Sequence, residues 1–79
     1  MTVAKVLRKA KANQEWRIVI CDTAKLKFTP NPTVNKIIAN GLFEYKGNRK
    51  DIPTALLHKQ HIESVCNMHE KIALIKIKM

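Results

Sequence analysis

Glu15–Thr29, EWRIVICDTAKLKFT, decides how the rest of the chain is read. Its first half alternates Trp16, Ile18 and Ile20 with Arg17, Val19 and Cys21. Its second half alternates Ala24, Leu26 and Phe28 with Lys25, Lys27 and Thr29. Period-2 alternation of β-branched and aromatic residues argues for strands, and the polar pair Asp22-Thr23 between the two runs argues for a hairpin. Such a turn pairs Val19 with Leu26 and Cys21 with Ala24, making one apolar face. The other face then carries Trp16, Ile18 and Ile20 beside Lys25 and Lys27.

Working outward, the N-terminal side supplies a lid for that sheet. Thr2 is placed to cap a helix whose Val3, Val6, Leu7 and Ala10 recur at i, i+3, i+4 and i+7. This helix is expected to cover Ile18 and Ile20, with Lys5, Arg8, Lys9 and Lys11 on its solvent side. Asn13-Gln14 ends it. On the C-terminal side, two prolines at 30 and 32 break the chain. Asn31 as cap and Pro32 as first residue suit one or two helical turns through Val34, Ile37 and Ile38, stopped by Asn40-Gly41. The same residues also fit an irregular strand entering 42–46, and the short helix is the preferred reading. A strand follows at 42–46, then an exposed basic loop over 46–51.

Residues 54–68 fit two patterns. Leu57, His61, Val65 and Met68 make a helical stripe, while Ile62–Val65, the polar Asn67–Glu70 and Ile72–Met79 fit strand, turn, strand. The last run is firm. Ala73, Ile75, Ile77 and Met79 alternate with Leu74, Lys76 and Lys78, whose lysines suit a solvent face on a late strand.

Seventy-nine residues make one domain, 1–79, with 46% hydrophobic content. A chain this short buries only about 60% of its unfolded surface, so a partner or a second copy would help it, and a homo-oligomer stays open. Fifteen Lys and Arg against six Asp and Glu give a net charge of +9, which points to a polyanion or an acidic protein surface as partner. The first residues lack the apolar core of a signal peptide, and no run approaches the ~18 apolar residues of a membrane span. A cytoplasmic setting without membrane contact is the expectation. Cys21 and Cys66 form no CxxC and read as small buried hydrophobes that stay reduced.

Catalytic and metal chemistry find little support. Ser64 has no GxSxG setting, the six carboxylates show no paired spacing, and the only glycines, Gly41 and Gly47, build no phosphate loop. His58, His61, Cys66 and His69 give HxxH then CxxH. On a continuous helix, however, the outer two histidines would be about 16 Å apart, too far to share an ion. A non-catalytic protein with no cofactor or metal is expected. The candidate phosphate-contacting residues are Lys5, Arg8, Lys9, Lys11, Lys25, Lys27, Arg49, Lys50, His58 and Lys59. The four aromatics are mostly assigned to the core, Trp16 and Phe28 in particular.

Three stretches together resemble the Hfq/Sm-like RNA-binding family. VLRKAK (Val6–Lys11) stands where that family ends a basic helix. WRIVICDTAKLK (Trp16–Lys27) matches the apolar spacing of its first strand pair. HKQHIESV (His58–Val65) is similar to its later Tyr-Lys-His-Ala-type motif, with His58 at the aromatic position and Lys59 at the lysine. Asp22-Thr23 replaces the usual Asn-Gly turn, the middle of the chain is longer, and Lys71–Met79 is additional. The resemblance implies RNA binding and a small SH3/Sm-like barrel.

The fold expectation is therefore a β-rich α+β domain, with an N-terminal helix packed on a bent antiparallel sheet of four or five strands. The alternative, if 54–68 is a helix, is an antiparallel sheet with two or three helices on one side. The expected function is nucleic-acid binding by a small regulatory or mobile-element protein. The rival is a phage-type inhibitor or adaptor that docks its basic surface on an acidic host protein.

Overall fold

A computed structural model describes residues 1–9, 15–27 and 33–79, with the side chain of Lys9 excepted. It is an α+β arrangement. The elements are α1 (Val3–Lys9), β1 (Arg17–Asp22), α2 (Thr23–Leu26), α3 (Val34–Ala39), β2 (Tyr45–Gly47), α4 (Thr54–Leu57), β3 (Gln60–Asn67) and β4 (Ile72–Lys78). A 3-10 turn spans Arg49–Asp51.

The strand order is β2-β1-β4-β3. β1 is antiparallel to β2 and parallel to β4, while β3 and β4 form an antiparallel hairpin. The sheet is mixed and open, so the expected all-antiparallel barrel does not form. Helices also lie on both faces rather than one. On the first face, Ile18, Ile20, Ala73, Ile75 and Ile77 pack under Val3 and Leu7 of α1 and under Ile52 and Leu56. On the second, Val19, Cys21, Ile72 and Leu74 pack under Val34 and Ile37 of α3, with Leu26 and Phe43 at the margin. The expected cover of Ile18 and Ile20 by the N-terminal helix is present.

The hairpin expected at Asp22-Thr23 is replaced by a helix start. The Asp22 carboxylate accepts a hydrogen bond from the Ala24 amide at 3.0 Å, and residues 23–26 turn helical. A short polar side chain that closes a turn caps a helix equally well, and the second use is the one taken here. Val19 thus lies beside Lys46 and Leu74, not Leu26. Leu26 is half-buried, and Phe28 lies outside the described residues.

α3 appears where expected, capped by Thr33, whose hydroxyl accepts from the Lys36 amide at 3.2 Å. The proposed cap residues Asn31 and Pro32 lie outside the described residues. At its far end Gly41 takes φ +66°, and the Gly41 and Leu42 amides donate back to the Ile38 and Ile37 carbonyls. This paired return closes a helix through a left-handed residue, which glycine adopts without the Cβ clash. The strand expected at 42–46 is shorter and later, Tyr45–Gly47.

Residues 54–68 divide. Thr54–Leu57 makes one helical turn and Gln60–Asn67 is strand, so the strand-turn-strand pattern holds for the C-terminal part. β4 is no solvent-facing late strand. It runs through the middle of the sheet, with Ala73, Leu74, Ile75 and Ile77 all at most 5% exposed. Of the two cysteines, Cys21 is buried as expected, but Cys66 is exposed on β3.

Candidate nucleic-acid interface

Of the ten basic or aromatic positions singled out from the sequence, those whose side chains are described divide between the two sides of the sheet. Lys5 and Arg8 project from α1 one turn apart and are exposed, because Val3 and Leu7 claim the opposite stripe for the core. Lys9 ends this helix, and Lys11 lies outside the described residues. His58 and Lys59 follow α4, which covers the same sheet face as α1. The Val3 amide donates to the Lys59 carbonyl at 3.1 Å, so the starts of α1 and β3 are tied together.

Arg49 and Lys50 join this side through the 3-10 turn. The Arg49 guanidinium donates to the Leu7 carbonyl, 42 positions away in sequence and in the last turn of α1. A cation at a helix C-terminus satisfies an otherwise orphan carbonyl and the local dipole. Arg49 is therefore a tie between loop and helix, and Arg8 and Lys50 flank it. Next to that tie is an open cleft of about 280 Å³ lined by Glu15, Trp16, Asn48, Arg49 and Lys50. Trp16 is half-buried there rather than buried, with part of its ring packed against the first core. Tyr45 closes the loop by donating its hydroxyl to the Asn48 carbonyl. Partial burial, and then the charge of Asp51, raise its phenol above the ordinary value, so it stays a neutral donor.

Lys25 lies in α2 and Lys27 directly follows it, on the other side. The Lys25 amine pairs with the Glu44 carboxylate. Lys27 lines a shallow groove with Asp22, Ile62, Lys78 and Met79. These two lysines thus do not join the α1 cluster. That second side also gathers basic residues absent from the candidates: Arg17 and Lys46 line a cleft of about 280 Å³ with Asn35 and Glu70. Arg17 shares the Val19 face by strand alternation, which the sequence displays. Lys46 joins it only because β2 pairs with β1 in the register Val19–Lys46. Its amine also lies 5.8 Å from the Phe43 ring centre, within cation–π range.

The histidines separate. His61 bonds the Ser64 hydroxyl at 2.6 Å on β3, His58 lies at the end of α4, and His69 falls in the β3–β4 turn. Among the described residues, no three His, Cys, Asp or Glu side chains converge in a metal-holding cluster. No helix there is long and apolar enough to cross a membrane. Comparison with known proteins finds no matching family model, curated protein or solved structure.

Proposed function

We propose that this chain is a non-catalytic nucleic-acid-binding protein that contacts phosphates through the α1 side of its sheet. In cellular terms this suits a small regulatory or mobile-element protein. The observation that carries the reading is the Arg49–Leu7 tie. It holds a second basic segment beside the solvent stripe of α1 and sets a half-exposed indole at the same corner. Lys5, Arg8, Lys50 and Lys59 are assigned to phosphates, with His58 beside them, and Trp16 offers an edge for a base to stack on. RNA is the first ligand to test, because His58–Val65 resembles the later Hfq/Sm-like motif. In this fold the motif runs from the end of α4 into β3.

The chain's single tryptophan gives the readout. Its fluorescence should change on titration with single-stranded RNA. Four phosphate contacts should make log affinity for the single strand fall with log salt at a slope of roughly −2.8. Replacing Arg8 and Lys50 together by Ala should flatten that slope by about 1.4 while leaving the fold intact. The rival is the inhibitor or adaptor on an acidic host protein. A chain that binds neither RNA nor DNA at low salt, yet holds one acidic protein after nuclease treatment, would replace the nucleic-acid reading with that one.

A further inference from the structure

Among the described strands, β3 is the most exposed, and its outer edge differs from its surroundings in charge. Between Lys59 and Lys71 there is no Lys or Arg, only Glu63 and Glu70, in a chain of net charge +9. Lysine on an edge strand is a common guard against strand-to-strand association, and here it is missing. Ile62, Val65 and Met68 are 47%, 38% and 74% exposed along this segment. The opposite edge, β2, is only three residues long and carries Lys46.

Part of the β3 edge is already used. Thr2 bridges Gln60, and the His61 amide donates outward to the Met1 carbonyl at 2.8 Å. Among the described residues, no strand pairs with the outer side of Glu63–Asn67. Antiparallel ladders alternate residues bonded inward with residues whose amide and carbonyl point away. His61 faces Ile77, and its amide points outward. Ser64 and Cys66 face Ile75 and Ala73, in the same phase along β4. Ser64 and Cys66 therefore turn their backbone polar groups outward, past the irregularity between His61 and Glu63.

We propose that Glu63–Asn67 pairs antiparallel with the same five residues of a second copy, about a two-fold axis at Val65. In that register Ser64 and the second copy's Cys66 exchange backbone hydrogen bonds. The two Val65 side chains meet as a non-bonded pair, and Glu63 faces Asn67 instead of another Glu63. Ile62 comes opposite Met68, so the exposed apolar side chains of each copy cover those of the other. The bridge at Met1–Thr2 stops the pairing at its near end, which is why the available edge is centred on Val65. Two sheets of four strands become one of eight. The basic α1 side takes no part in the contact, so this inference is independent of the nucleic-acid reading.

Sedimentation of the nuclease-treated chain over a concentration series should show a monomer–dimer equilibrium. Val65→Lys sets two like charges together at the axis and should raise the dissociation constant by about tenfold or more. A second variant reads the register directly. With Cys66→Ser, the replacement Val65→Cys brings two thiols together across a pair with Cα atoms about 4.5 Å apart, within disulfide range, so mild oxidation should give a covalent dimer. A chain that stays monomeric throughout, a dimer that Val65→Lys leaves unchanged, or a Val65→Cys variant that does not cross-link would each overturn the proposal.

Discussion

β3 and β4 are bonded neighbours of nearly equal length, eight and seven residues, and the fold treats them oppositely. β4 lies between β1 and β3 and presents side chains to both cores, so even Lys76 is half-covered and only the terminal Lys78 is exposed. Six of the eight β3 residues are exposed, and among the described residues none of β3 belongs to either buried core. Alternation alone does not decide burial. What decides it is whether a strand has neighbours on both edges and helices over both faces, and that is settled by the order in which distant segments come together.

Cavity-forming substitutions on the two strands should separate them most sharply. Leu74, 2% exposed, faces Val65 across the ladder. Leu74→Ala should cost about 2–5 kcal/mol in denaturant unfolding, a large share of a typical margin of about 5–15. Val65→Ala in dilute protein should cost less than about 1 kcal/mol. Equal losses at both sites would mean that β3 is covered in the monomer.

The two cysteines extend the contrast to pH. Burial pushes the Cys21 thiol from 9.0 up to about 11, against the opposing pull of Lys76. The folded chain then holds this proton after the unfolded chain has released its own. The corresponding stability is complete below pH 9 and is lost as pH rises from 9 towards about 11. Cys21→Ala should flatten that part of the curve, measured by denaturant unfolding at stepped pH. A thiol reagent should modify Cys66 in the native protein and Cys21 only after unfolding.

The smallest effect belongs to the ion pair that spans the two strands. Lys76 and Glu63 lie 3.2 Å apart with the carboxylate largely in water. A double-mutant cycle on Glu63→Gln and Lys76→Gln should give a coupling below about 1 kcal/mol that fades with added salt.

Much of this was legible in residue patterns wherever the determining contacts are local. The Val3/Leu7 stripe, the Val34/Ile37/Ile38 stripe and the Asn40-Gly41 stop all report on one helix face or one turn. Asp22-Thr23 was not legible, because four residues, Thr23–Leu26, satisfy both a strand's alternation and a single helical turn. The neighbours of β4 were hidden as well, since lysines at 76 and 78 read as an edge while the parallel pairing with β1 has no local signature. The same hidden pairing scattered the candidate site. The expected hairpin set Lys25 and Lys27 on the Ile18 and Ile20 face, which α1 covers, yet α2 turns them to the other side of the sheet.

The parallel pairing of β1 with β4 also orders events during synthesis. Arg17 pairs with Ile72, so the ribosome adds 72 − 17 = 55 residues between making the two partners. At about 5–20 residues per second, that is a wait of roughly 3–11 s. Through that interval Ile18, Val19, Ile20 and Cys21 have at most one strand beside them. Completion of the sheet waits for Ile72–Lys78, and until that segment arrives the β1 edge it will pair with stays open to chaperone capture or aggregation.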